Sequence, residues 1–312
     1  MKKAPIIILA LLLIFIAACT PVSTPNTGRY NGGDEGLRIS FLEGEPPTTV
    51  LDNNQESFDL SVLVENVGED DIQPNQVIVT LNGIERDAFK LRSLTEKNNL
   101  EILGVKKLQD RLQNGESAEI RFQDANYQES LPFDFDVEVR ADVCYDYTST
   151  AVADVCLKSD ASQRRTDDNC EIDNPSVEVD NSGAPVHIEN FAQNARGSTA
   201  IGFTFDVVKV GSGDVYPPDN FKDKCTVDPD NDDTVKVTVD FLSRDNLGVD
   251  CTTLQGSTGQ IRLTGGRKTV RCTVNTQSLQ DIAFEKPLRI TVDYMYKDSK
   301  ETAFTVQSTQ DF

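Results

Sequence analysis

Beyond residue 36 the chain is written in a period of two. Leu37, Ile39 and Phe41 alternate with polar residues, and Phe58, Leu60, Val62 and Val64 repeat the pattern up to Asn66-Val67-Gly68. Val77, Val79 and Leu81 run into the turn pair Asn82-Gly83, and Ala118, Ile120 and Phe122 follow the turn pair Asn114-Gly115. Phe135, Val137, Val139, Ala141 and Val143 form the longest run, which enters Cys144-Tyr145-Asp146-Tyr147, and Val152 to Leu157 closes the set. A second series opens with Val186 and Ile188. It continues through Ile201, Phe203, Phe205 and Val207, then Val235, Val237, Val239 and Phe241, then Val270 and Cys272, and ends with Leu288, Ile290, Val292, Tyr294 and Ala303 to Val306. Alternation places every second side chain on one face, so each run predicts a half-buried strand. Residues 91–112 fit neither period: Leu100, Leu103, Leu108 and Leu112 follow helical spacing only loosely. Short, turn-bounded strands predict an all-β fold of antiparallel sandwiches.

The two series look like one unit used twice. Phe58 to Gly68 corresponds to Gly202 to Gly211, and Arg121-Phe122 to Arg271-Cys272. Phe122 lies 23 residues before Tyr145 and Cys272 lies 22 before Tyr294, so Tyr145-Asp146-Tyr147 matches Tyr294-Met295-Tyr296. Near-equal spacing of several features predicts a duplication. The expected units are residues 37–158 and 184–312, joined by a linker over 159–183 rich in Asp, Ser, Arg and Asn. Each unit, at about 125 residues, has room for one core.

The N-terminus has a different logic. Lys2 and Lys3 precede an apolar run over residues 6–18, too short for a bilayer span of about 20 residues. The run ends in Ile16-Ala17-Ala18-Cys19 and is broken by Thr20-Pro21. This resembles the lipobox of prokaryotic lipoprotein precursors, with Ile16 where Leu is usual. The resemblance implies a signal peptide over residues 1–18, cleavage before Cys19 and lipidation of Cys19. Residues 20–36 are Pro, Thr, Ser, Asn and Gly with almost nothing apolar, so residues 19–36 are expected to be a flexible tether holding the body roughly 20–25 Å from the lipid.

Of seven cysteines, six remain once Cys19 is set aside, an even number suited to disulfides outside the cytoplasm. Cys144 and Cys156 flank a segment that would pair them if the flanking strands form a hairpin, and Cys251 and Cys272 flank the glycine turns at Gly256 and Gly265-Gly266. Cys170 and Cys225 are then left for each other, out of 15 arrangements that six cysteines allow. The net charge of −21 becomes −23 once Lys2 and Lys3 are removed. An acidic body repels nucleic acid and anionic lipid, so no nucleic-acid partner is expected, and the membrane is expected as a partner only through the lipid.

Candidate chemistry is sparse. His187, the single histidine, stands between Val186 and Ile188 and is expected to point outward. No Gly-x-Ser-x-Gly, phosphate loop, dinucleotide fingerprint or Cys-x-x-Cys occurs, and Asn174-Pro175-Ser176 is a sequon spoiled by its proline. Asp228, Asp230, Asp232 and Asp233 crowd one acidic turn, an oxygen-rich set of the type that suits Ca²⁺, though the glycine and distal glutamate of an EF-hand loop are missing. Without Trp, a sugar-stacking cleft is poorly supplied.

The strand ending in Glu65-Asn66-Val67-Gly68 and its acidic turn resembles the immunoglobulin-like cell-adhesion modules of prokaryotic surface proteins. Cys144-Tyr145-Asp146-Tyr147-Thr148 and Gly183-Ala184-Pro185-Val186 are similar to segments of surface lipoproteins of small-genome archaea. The lack of Trp excludes the antibody-type subclass. The resemblance implies two tandem Ig-like β-sandwich domains on a lipid anchor, with a non-enzymatic role in adhesion, envelope scaffolding or binding of a protein or envelope partner. Two other readings stay open: a solute- or Ca²⁺-dependent recognition module, and a surface hydrolase.

Overall fold

The computed structural model describes residues 28–108, 111–163, 168–218, 225, 232–242 and 247–310. The expected signal peptide, Cys19 and the first part of the expected tether therefore lie outside the described residues. The first series forms β1 (Leu37–Phe41), β2 (Thr49–Leu51), β3 (Phe58–Asn66), β4 (Val77–Asn82), β5 (Thr95–Lys97), β6 (Lys106–Leu108), β7 (Arg111–Gln113), β8 (Ser117–Ala125) and β9 (Phe135–Leu157). The second forms β10 (Val179–Asn181), β11 (Val186–Ala195), β12 (Ala200–Lys209), β13 (Asp214–Tyr216), β14 (Thr234–Phe241), β15 (Val249–Cys251), β16 (Thr258–Arg262), β17 (Arg267–Asn275) and β18 (Phe284–Gln307). The all-β, largely antiparallel sandwich expected from the alternation is what forms. In the loosely patterned stretch over 91–112, the described residues carry short strands and no helix.

The architecture differs from two separate sandwiches in one decisive way. One sheet, in the order β16-β14-β18-β9-β4-β5, runs through both halves, while β1-β3-β8 and β11-β12-β17-β15 form two smaller sheets. β9 and β18 pair without interruption from Phe135↔Val306 to Leu157↔Phe284, a ladder roughly 70 Å long. Every second residue of β9 from Val137 to Leu157 is buried, so one continuous face of the long sheet meets both small sheets.

Each half therefore completes the other. β4 pairs with the first half of β9, through Val77↔Tyr145 to Asn82↔Arg140, and the end of β18 lies on the other side of that strand. Phe304 of β18 sits in the core of the first half, 5.4 Å from Phe58 and 5.8 Å from Phe89 between ring centres. Asp52 holds the chain end there by accepting from Leu131 N at 2.6 Å and from Thr309 N and Oγ1 at 2.9 and 2.6 Å. In the second half β14 pairs with the first part of β18, and the last part of β9 lies alongside. There Gln193 brackets Cys156 of β9, accepting from its N at 3.0 Å and donating to its O at 2.8 Å. The expected boundary at residue 158 falls at the end of a strand that already serves both halves, and one hydrophobic cluster runs through the two.

The cysteine pairing follows from this. β9 does not fold back after Tyr147, so Cys144 and Cys156 stand 12 positions apart on one straight strand, about 40 Å. Instead Cys144 bonds Cys225 and Cys156 bonds Cys170, which corrects both expected pairs that involved these four residues. Cys251 bonds Cys272, its partner across the β15–β17 ladder. The expected linker is held as well. Lys158 is fully buried and its Nζ lies 2.9 Å from Asp168 Oδ2.

Candidate functional site at the junction of the two halves

Tyr145 and Tyr147 of β9 point to the same face, and the register sets them against Tyr296 and Tyr294 of β18. Since Tyr145 matches Tyr294 and Tyr147 matches Tyr296 in the expected duplication, each tyrosine pairs with the counterpart of its neighbour. This is the pattern of a two-fold axis passing between Asp146 and Met295. The four rings form a buried cluster with centres 5.6–6.5 Å apart.

Each hydroxyl fastens a separate piece of chain. Tyr145 accepts from Leu37 N at 3.2 Å, and Tyr147 donates to Gly183 O and accepts from Asp70 N, both at 3.2 Å. Tyr294 meets Ser149 Oγ at 2.8 Å, and Tyr296 accepts from Gly213 N. Burial raises all four phenols, Tyr296 to about 12, so none is an acid or base at neutral pH. Gly68 packs against this cluster, and a Cβ there would overlap the Tyr147 hydroxyl.

Residues 28–36, expected to be tether, are instead a docked strap across this junction. Glu69 is its hub, accepting from Asn31 N at 3.0 Å, Gly32 N at 3.1 Å and Gly183 N at 2.7 Å. Arg29 forms a two-pronged pair with Asp154, both contacts at 2.9 Å, and its backbone N donates to Asp180. His187 Nε2 lies 2.9 Å from Gly33 O, so the single histidine pins the strap.

Two recesses open beside the tyrosines. One, of about 550 Å³, is bordered by the strap and by Arg38, Tyr296, Asp298 and Lys300. The other, of about 370 Å³, is lined by Asp70, Asp71, Asp146, Asp293 and Lys236. Asp70 accepts from Thr148 N at 2.8 Å, and burial, reinforced by Asp71 and Asp293, pushes its carboxyl up to about 6. The two-fold relation makes this acidic recess informative. Lys236 pairs with Asp293 as Ile78 pairs with Cys144, so these positions correspond. At the Cys144 position Tyr216 of β13, Met295 and the Cys144–Cys225 bridge pack together and close the space. A space filled in one half is an open, charged recess in the other.

The residues singled out by sequence do not assemble there. Cys19, Asp228 and Asp230 lie outside the described residues. Asp233 donates its backbone N to Val215 O at 2.9 Å, and its carboxylate lies 3.7 Å from Lys209 Nζ; Asp232 accepts from Asp233 N at 3.0 Å. Among the described residues no group of three His, Cys, Asp or Glu converges as a metal site. Among them, too, no helix is long and apolar enough to cross a membrane. The acidic turn that follows Gly68 in the sequence is Glu69-Asp70-Asp71, but nothing in the sequence joins it to Asp293 and Lys236. The twice-used Tyr-x-Tyr was the signal that could have located the junction.

No family model matches the chain, and no curated protein matches it. Among solved structures it is similar, at 10% identity and a TM-score of 0.22, to the C-terminal globular domain of an oligosaccharyltransferase from Pyrococcus abyssi. That match covers 88% of this chain and 50% of the other, so the chain spans about half the length of that structure. A chaperone–tip adhesin complex of CFA/I fimbriae matches at 10% identity and a TM-score of 0.11, over 90% of this chain and 83% of that one. Scores this low do not establish a common fold, and nothing about activity is carried over.

Proposed function

We propose that the chain is a lipid-anchored, extracytoplasmic protein with a non-enzymatic role, a stiff two-lobed scaffold that binds a protein or envelope partner. The observation that carries this reading is the uninterrupted β9–β18 ladder. It makes one long body of two lobes, and three disulfides pin chain segments to it in a manner suited to an oxidising compartment. In this reading each lobe is an Ig-like module whose last strand is supplied by the other. β9 ends its own lobe and continues as the closing strand of the second, and β18 does the reverse.

The acidic recess favours one further reading, recognition of a cationic group by Asp70, Asp71 and Asp293 rather than by the turn at 228–233. The anchor is tested by Cys19→Ser in the native host or a lipoprotein-processing host. The variant is expected to appear in the medium or as uncleaved precursor. Membrane association that stays unchanged and still needs detergent for release contradicts the reading.

A further inference from the structure

We infer that β18 over residues 298–304 is a receptor edge, where an extended segment of a partner protein adds as an antiparallel strand; this deepens the partner-binding reading above. On the side of β18 away from β9, β13 covers residues 295–297 and β2 covers residues 305–307, and no strand pairs with the stretch between them. Odd-numbered residues of β18 turn their backbone groups to that side, as Pro287 O does to Leu242 N and Thr305 N to Thr48 O. The backbone groups on the uncovered edge are therefore those of Ser299, Glu301 and Ala303, all exposed residues. Across the 550 Å³ recess lies β1, which pairs only with β3. Gly36 O and Leu42 N bond toward β3, so by alternation Ile39 N and O face away from it, on the side of the recess.

The second half shows what fits such a slot. Gly36 O accepts from Val67 N and Gly68 N, both at 3.0 Å, and Pro185 O accepts from Val210 N at 2.9 Å and Gly211 N at 3.1 Å, so β1 corresponds to β11 as β18 does to β9. Between β9 and β11 the slot is filled by β10. It pairs with β9 from Val179↔Ala153 to Asn181↔Ala151, and the Asn181 amide donates to Ile188 O at 2.9 Å and accepts from Ile188 N at 2.8 Å. In the first half the counterparts of β10 are residues 30–32. They are drawn off to the other side of the junction, where Asn31 N and Gly32 N bond Glu69. The inward residues differ to match: Ser149, Ala151 and Ala153 are buried beside β10, and their counterparts on the uncovered edge are the polar Asp298, Lys300 and Thr302.

These contacts specify the occupant. Ile39 is the counterpart of Ile188, and an asparagine opposite Lys300 offers both the donor and the acceptor that its backbone takes. The residue before that asparagine stands opposite Glu301. Arg140, across the ladder from Glu301, is taken by Asp142 at 2.8 Å, so the Glu301 carboxylate is left to solvent and favours a cross-strand Lys or Arg. The occupant is an extended segment with a basic residue followed by Asn, held by main-chain bonds in the manner of strand addition. A second copy does not supply it, because its own β10 is already in a ladder.

The probe is a synthetic peptide of residues 175–182 carrying Asp180→Lys, titrated to millimolar concentration into the chain from residue 19 onward with Cys19→Ser. This unlipidated form makes the test independent of the anchor. Backbone amides are followed by NMR. The expected result is saturable shifts at Ile39, Ser299, Glu301 and Ala303, slowed hydrogen exchange at Glu301, and about tenfold weaker binding when the peptide also carries Asn181→Ala. Glu301→Lys in the chain should weaken this peptide severalfold and favour the unaltered peptide with Asp180, an exchange of preference that structural damage does not produce. No saturable shift at these four amides overturns the inference, as does indifference to Asn181→Ala. Saturable shifts confined to other residues leave the chain a peptide binder and overturn this edge as the site. Shifts at the four amides on concentrating the chain alone assign the edge to a second copy and overturn the inference too.

Discussion

Asp70 offers the sharpest energetic test of the junction. Its carboxyl is mostly buried and held at about 6, against 3.8 for an ordinary aspartate, chiefly because burial penalises the charge. A group whose folded pKa is raised binds its proton more tightly in the fold. It therefore contributes stability below about pH 4 that is lost as pH rises to about 6, and above that the fold carries a buried charge. The difference is worth about 2–3 kcal/mol, allowing for residual contact with water. Asp70→Asn removes the charge and keeps an oxygen to accept from Thr148 N. Urea unfolding of both proteins from pH 4 to pH 8 is the assay. The stability difference should grow by about 2–3 kcal/mol in favour of the variant between pH 4 and pH 7, then level off, raising Tm at pH 8 by roughly 5–10 °C. A difference that is constant with pH, or that grows in favour of the wild type, refutes the burial of the Asp70 carboxyl at the junction.

Other substitutions probe the frame. Replacing Cys144 and Cys225 together with Ala opens a loop of 81 residues, worth about 4–5 kcal/mol on the chain-entropy model; an unchanged melting temperature would show that the bridge does not form. Replacing Cys156 and Cys170 opens only 14 residues and should cost less, about 3 kcal/mol. Lys158→Met leaves Asp168 without its buried partner and should cost about 3–5 kcal/mol, partly recovered by adding Asp168→Asn. A neutral Lys158→Met would show that the ion pair is open to water.

The strands were legible because alternation is local. Val137 to Val143, Ile201 to Val207 and Val235 to Phe241 all lie in strands with their apolar residues buried. What alternation could not show was where a strand ends. Thr148-Ser149-Thr150 suits a turn by composition, yet Ser149, Ala151 and Ala153 keep the inward positions of β9, and their small size hid the period. The mistaken hairpin led directly to the mistaken Cys144–Cys156 pair. The strap was illegible for another reason. Its glycines and asparagines bury little, and it is held by backbone bonds to Glu69 and by Arg29, partners far away in sequence. Leu108 and Leu112 fit no period because they face no core. The acidic recess depends on bringing Asp70 beside Asp293, which only the crossing of β9 and β18 accomplishes.

The central claim is that β18 leaves the second lobe and runs along β9 into the first. Glu138 and Ala303 face each other in that ladder, and both are exposed. Directly opposed strand positions lie within reach of a disulfide. With Glu138→Cys and Ala303→Cys introduced together, mild oxidation followed by non-reducing peptide mapping should yield a peptide joining positions 138 and 303 in high yield, with the three native bridges intact. If the lobes are instead two self-contained sandwiches, position 303 lies in the second and cannot reach position 138. Absence of the 138–303 peptide in the folded, fully oxidised protein would contradict the shared ladder and the account built on it.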